Sequence, residues 1–224
     1  MPTVKALVVA DEESKYIWDH FDRSVFAGVD VIISCGDLKA SYLSFLTTMV
    51  AAPLLYVPGN HDSKYLLHPP EGCDDLTEKM HVIKGVRFVG FGGCQSMSPK
   101  PFHYTEGEVV KQVAGRMSEI ARHGGFDVLV THAPAAGLGD GTDAFHKGFI
   151  AYRLLLDQFR PAFHFHGHQH TTYGGAKTRI KYDNTVIINA YGYQIVDITV
   201  PERKPGRTSY IKMRYEWRVR NGRK

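Results

Sequence analysis

Short apolar runs rich in β-branched and aromatic residues recur along the chain at 4–10, 29–35, 54–57, 86–91, 128–131, 162–165, 186–190 and 193–200. Such runs read as strands. Between the earlier ones lie stretches with helical spacing, at about 14–27, 40–50, 107–123 and 148–159. This alternation predicts an α/β layered domain whose strands are buried on both faces. From about residue 172 the helical pattern stops, and β-rich segments flank a turn at Asp183-Asn184. Segments 63–81 and 94–106 are polar and aperiodic, and read as surface loops or the rim of a site. Near the C-terminus, Ile211, Met213, Tyr215, Trp217 and Val219 alternate with Lys212, Arg214, Glu216, Arg218 and Arg220. That period of two predicts a half-buried strand, expected to pair within the same domain rather than across a homo-oligomer.

A chain of 224 residues, 43% hydrophobic, is long enough for one large domain and short for two. The expected organisation is a single domain over 1–200 and a basic extension over 201–224 packed on it. The extension holds nine Lys/Arg against two Glu, a net of +7, while residues 1–200 balance 18 cations against 21 anions, a net of −3. A basic terminus can attract nucleic acid, but a solvated surface is the plainer reading. Cys35, Cys73 and Cys94 form no CxxC pair, and with no secretory signal an odd count argues against a disulfide framework. No apolar stretch approaches the roughly 18 residues of a membrane span. A soluble cytoplasmic protein is expected.

The residues at the end of each apolar run change the picture. Run 4–10 ends in Asp11-Glu12-Glu13, run 29–35 in Gly36-Asp37, and run 54–57 in Pro58-Gly59-Asn60-His61-Asp62. Run 128–131 ends in His132, and run 162–165 in His166-Gly167-His168-Gln169-His170. Five strands thus deliver metal-competent side chains at their C-terminal ends, where sites form in α/β sheets. Each fragment alone is weak: a Gly-Asp is usually a turn, and Asp11-Glu12-Glu13 reads equally as an acidic helix start. Their order and number make the pattern specific.

The series resembles the calcineurin-like metallophosphoesterase superfamily, whose motifs run Asp-x-His, Gly-Asp, Gly-Asn-His-Asp/Glu, His and Gly-His-x-His. The resemblance spans residues 4–200. It implies a four-layer αββα sandwich of two mixed β-sheets flanked by helices, with ligands on loops after strand C-termini. It further implies two divalent metal ions, one held by Asp11 and His170, the other by Asn60, His132 and His168, with Asp37 bridging them. His61 would face the substrate as the general acid, a role suited to an imidazole near neutral pH. Two such cations and a bridging hydroxide would hydrolyse a phosphate ester. Asp62 is expected to stabilise its turn or orient His61, and His166 to stand behind or beside the site.

The first motif departs from the family pattern, because Glu13 occupies the histidine position. Either Glu13 is a ligand, giving an oxygen-rich set suited to Mn²⁺ or Fe²⁺ more than to Zn²⁺, Ni²⁺ or Mg²⁺, or it turns outward and leaves the first metal short of a donor. Gly36-Asp37 continues Leu38-Lys39-Ala40-Ser41, without the Asp-Arg-Gly that marks the family's phosphoprotein phosphatases. The loop after His132 is similar to that of small bacterial and archaeal phosphodiesterase-like members. The leading expectation is a phosphodiesterase or phosphomonoesterase acting on a small phosphate ester. The alternatives are a catalytically weak metal-binding scaffold, supported by Glu13, and a nuclease or nucleic-acid-binding protein, supported by the basic tail alone. His103, Lys100, His146 and Lys147 are expected to be solvated loop residues.

Overall fold

The parity of the strand residues decides the layering. In β1 (Thr3–Ala10), Val4, Ala6, Val8 and Ala10 point into one core while Leu7 and Val9 point into another. A strand apolar on both faces must be covered on both. The computed structural model describes residues 1–143, 146–170 and 178–201. After β1 the chain runs through α1 (Lys15–Asp19), β2 (Val31–Ser34), α2 (Ala40–Val50), β3 (Leu54–Tyr56), a 3₁₀ turn at Ser63–Leu66, β4 (Cys73–Asp75), β5 (His81–Ile83) and β6 (Val86–Phe91). It continues with β7 (Cys94–Gln95), β8 (His103–Tyr104), α3 (Glu106–Arg122), β9 (Val128–Thr131), α4 (Ile150–Phe159), β10 (Phe163–His166), β11 (Arg179–Tyr182), β12 (Thr185–Asn189) and β13 (Gly192–Thr199).

Two mixed sheets form, in the orders β13-β1-β2-β3-β4 and β11-β12-β10-β9-β6-β5, beside a small β7-β8 ribbon. The central strands β1, β2 and β3 are parallel, as are β6, β9, β10 and β12, so each sheet carries its strand C-termini along one edge. Val8, Ile33 and Leu55 from the first sheet meet Phe88, Val130 and Phe165 from the second in an apolar central layer. Outside it, α1 and α2 cover the first sheet through Ile17, Tyr42, Leu43 and Leu46. The second sheet is covered by Val113, Met117 and Ile120 of α3 and by Tyr152, Leu155 and Leu156 of α4. The fold is the four-layer αββα sandwich expected from the motif order.

Two segments differ from the sequence reading. The helix expected over 14–27 ends at Asp19, because Asp22 accepts from both the backbone N–H and the hydroxyl of Ser24 (2.8 and 2.7 Å) and so favours a turn. The aperiodic segments 63–81 and 94–106 contain β4, part of β5, β7 and β8, strands of two or three residues too short to show a period. The strand expected at 211–220 lies outside the described residues. Among the described residues no helix is long and apolar enough to cross a membrane.

His164, in the middle of β10, is fully buried on the helix side of its sheet. The Thr131 hydroxyl donates to the Ala133 carbonyl (2.6 Å), so the His164 Nε2–H donates to Thr131 Oγ1 (2.8 Å), and Nδ1 has no hydrogen-bond partner among the described residues. Burial, reinforced by neighbouring His166, holds His164 well below the usual imidazole range. A base depressed in the fold stabilises it fully only above its unfolded value near 6.5, because below that the unfolded chain takes up the proton first. The urea midpoint is expected to fall as pH drops from about 6.5 towards 4. His164→Gln should flatten that fall by up to about 1.4 kcal/mol per pH unit, and parallel profiles for the two proteins would exclude His164 as its source.

Candidate metal and substrate site

The loops after β1, β2, β3, β9 and β10 meet where the C-terminal edges of the two sheets come together. Three of the motif residues adopt the left-handed backbone region that side chains other than glycine avoid: Asp11 (φ 63°), Asp37 (φ 58°) and His168 (φ 67°). Each such conformation costs roughly 1–2 kcal/mol, and strain of this kind concentrates at functional sites. It turns the chain sharply off the strand and sends the side chain back over the sheet edge. Gly36 (φ 93°) permits the approach, since a Cβ there would meet the Gly59 backbone and come within 2.9 Å of His132 Nδ1. Gly167 does the same for the β1 loop, because its Cβ would lie 2.6 Å from Asp11 Oδ2.

Donor atoms of Asp37, His132 and His168 lie within 4.8 Å of one another. His132 is fully buried, and its Nδ1 donates to the Cys35 carbonyl (2.8 Å), which binds the second sheet to the first. With the proton on Nδ1, Nε2 presents a lone pair. Yet Nε2 faces two more acceptors, Asn60 Oδ1 at 2.9 Å and Asp37 Oδ2 at 3.3 Å. Converging acceptors require a cation between them, either a proton or a metal ion. The electrostatics agree: burial opposes a charge on His132, but Asp37 and Asp11 outweigh it and push the imidazole up to about 9. Burial likewise opposes ionisation of Asp37, whereas His132 and the backbone N–H of His61 hold the carboxyl down at about 2. Two imidazoles, a carboxylate and an amide oxygen fit a divalent transition-metal ion, and the Nδ1 contact to a carbonyl is the support that ligating histidines usually have.

The other expected ligands are arranged less tightly. Both Asp11 oxygens accept the His168 backbone N–H (3.0 Å each), and burial, only partly offset by His132, raises the carboxyl above its ordinary value. His170 is exposed and packs its ring against Tyr191, with centroids 5.2 Å apart. Glu13 accepts from Trp18 Nε1 (2.9 Å), from the backbone N–H of Lys39 (3.3 Å) and from Lys39 Nζ (3.3 Å). Among the described residues, Asp11, Glu13 and His170 do not converge as the Asp37, His132 and His168 atoms do.

His61 stands open to solvent, its Nε2 3.9 Å from Asp37 Oδ2 and its backbone N–H donating to Asp37 Oδ1 (2.8 Å). Asp62 is buried and accepts the backbone N–H groups of Gly59 (2.7 Å) and Asp37 (2.8 Å), so one carboxylate holds the β2 and β3 loops together. Burial, with Asp37 adding to it, raises this carboxyl to about 6. His166 faces the helix side of its sheet beside His164, its Nδ1 donating to the Gly167 carbonyl (2.9 Å), and burial lowers it to about 4. It therefore supports the loop that carries His168. His146, expected to be solvated, is partly exposed and also lays its ring against His168 (centroids 5.4 Å), its Nδ1 contacting Asp143 (2.9 Å). No local motif records that contact.

Comparison with known proteins agrees with this geometry. The family model for calcineurin-like phosphoesterases matches residues 10–172, from the end of β1 past the loop after β10. No curated protein sequence matches the chain. Among solved structures, TT1561 of Thermus thermophilus superposes with a TM-score of 0.57 at 13% identity, covering 88% of this chain and 100% of that one. GAP50, described as the anchor in the inner membrane complex of Plasmodium, superposes with a TM-score of 0.52 at 11% identity, covering 97% of this chain and 95% of its own. At such identities the likeness is one of fold. The family match rests on the sequence itself and takes in every strand-end loop of the cluster, so the chain belongs to the calcineurin-like phosphoesterase family.

Proposed function

We propose that the protein is a metal-dependent hydrolase of phosphate esters, a phosphodiesterase or phosphomonoesterase, working at a pair of divalent cations. Family membership supports the coarser statement, a metal-dependent phosphoester hydrolase at the level of the family. The observation that carries the reading is the Nε2 of buried His132, aimed with Asn60 Oδ1 and Asp37 Oδ2 at one point. Asp37, Asn60, His132 and His168 would hold the tighter cation, and Asp11, Asp37 and His170 the weaker one. Mn²⁺ or Fe²⁺ suits this mixture of oxygen and imidazole donors. Bound there, such ions supply Lewis acidity toward phosphoryl oxygens and a water acidic enough to attack phosphorus.

The remaining steps fall to the side chains. His61, exposed beside Asp37, donates a proton from its imidazole to the departing oxygen. Asp37 accepts the His61 backbone N–H and Asp62 accepts that of Asp37, so the acid is positioned through two consecutive hydrogen bonds. Residues 1–200 form the catalytic domain in this reading, the basic extension beyond residue 201 lies outside the described residues, and the three free cysteines suit a reducing cytoplasm. A second reading, a metal-holding scaffold with little catalysis, is favoured by Glu13, whose carboxylate is already engaged by Trp18 and Lys39.

Hydrolysis of bis(p-nitrophenyl) phosphate with Mn²⁺ separates the two. Turnover is expected in the unaltered protein, a loss of at least about a hundredfold in Asp37→Asn, and a loss of about 10²–10⁴-fold in His61→Ala that is smallest for the best leaving groups. Absence of metal-dependent turnover in the unaltered protein would leave the scaffold reading standing. Glu13→His is expected to raise the second metal equivalent measured by elemental analysis, and turnover with it. Identical metal content and rate in both forms would show that Glu13 does not limit the weaker position.

A further inference from the structure

A cleft of about 690 Å³ opens beside the cluster, bounded by Asp11, Asp37 and His61 and extending to Leu38, Lys64, Tyr65 and His68. This is far more room than a phosphoryl group needs, and it falls within the range of pockets for nucleotide-sized ligands, roughly 300–1,000 Å³. One wall is the 3₁₀ turn Ser63–Leu66, just after His61. Lys64 lies in this turn and His68 follows it, the backbone N–H of His68 donating to the Lys64 carbonyl (2.9 Å), and both line the cleft together with the proposed acid. The opposite wall is the start of α2, and Tyr65 ties the two together by donating its hydroxyl to the Leu38 carbonyl.

The charges along the cleft are not equally available. Asp37 is turned to the His132 cluster, and Asp11 accepts the His168 backbone N–H. Asp62 is taken up by two backbone N–H groups, and Glu13 is neutralised by Lys39 (3.3 Å). Lys64 and His68 are exposed cations or potential cations with no side-chain partner among the described residues, and Glu12 is an exposed carboxylate in the same position. An apolar floor of Leu38 and Tyr65, a carboxylate that accepts from hydroxyl or amine groups, and unpaired basic groups on the wall that follows His61 define one kind of ligand.

We infer that the cleft seats the organic part of a nucleoside-type phosphate ester, and that Lys64 and His68 receive a second anionic group on it. The inference deepens the phosphoesterase reading and rests on it for the placement of the first phosphate. A phosphate ester of a small alcohol would leave the floor, Lys64 and His68 without contact. A nucleoside carrying two separate phosphates reaches all of them.

Calorimetric titration of the full chain in Mn²⁺ buffer tests this with inorganic phosphate, adenosine 5′-monophosphate and adenosine 3′,5′-bisphosphate. Affinity is expected to rise in that order, with the bisphosphate about tenfold or more tighter than the monophosphate, as charge-assisted contacts allow. Lys64→Glu should abolish the bisphosphate advantage while leaving inorganic phosphate unchanged, and Lys64→Arg should keep it. Equal affinity for the two nucleotides, or an equal loss for all three probes in Lys64→Glu, would overturn the assignment. Turnover of bis(p-nitrophenyl) phosphate without the affinity series defeats the cleft assignment alone. The affinity series without any metal-dependent turnover defeats the hydrolase reading alone.

Discussion

The contact on which the rest of the site depends is the hydrogen bond from His132 Nδ1 to the Cys35 carbonyl. It joins the end of β9 to the end of β2, and therefore one sheet to the other, at the edge where both sets of strands terminate. Because that bond occupies Nδ1, it turns Nε2 into the crevice toward Asp37 and Asn60, where it holds a proton or, once that is lost, offers a lone pair to a metal ion. Two carboxylates secure the arrangement from either side. Asp62 binds the β2 loop to the β3 loop, and Asp11 binds the β1 loop to the β10 loop. Five loops far apart in sequence are thereby held in one place before any ion arrives.

The same frame is the ground for proposing two metal positions of unequal strength. Asp37, His132 and His168 already present their donor atoms to one another. In the neighbouring position, Asp11 is engaged with the His168 backbone, His170 rests on Tyr191, and Glu13 is held by three donors from Trp18 and Lys39. A histidine in place of Glu13 would not make the charged contact to Lys39. Glu13, standing where the family's motif has a histidine, thus lines the cleft as one half of an ion pair with Lys39.

Much of this was legible in the sequence, and the reason is the regularity of the fold. Parallel strands buried on both faces read as continuous apolar runs, so 86–91 and 128–131 coincide with β6 and β9, and the residues after the runs mark the sheet edge. The glycines at 36, 59 and 167 stand beside the proposed ligands because the loops pack against one another too closely for a Cβ. The features that the sequence did not reveal depend on contacts made after folding. Asp22 ends a helix by bonding Ser24, the ring of His146 comes to lie against His168, and Glu13 makes contacts with Trp18 and Lys39 that no local motif records. Strands of two or three residues, such as β7 and β8, carry too few positions to show alternation.

The central claim is that the point shared by His132 Nε2, Asn60 Oδ1, Asp37 and His168 is a cation site filled by a metal ion rather than by a proton. Anomalous diffraction at the manganese edge, from crystals grown with Mn²⁺, tests it most directly. The account predicts its strongest peak at that point, within ligand distance of His132 Nε2, and a weaker peak beside Asp11. A featureless map there, with His132 Nε2 bonded directly to Asp37, would contradict it.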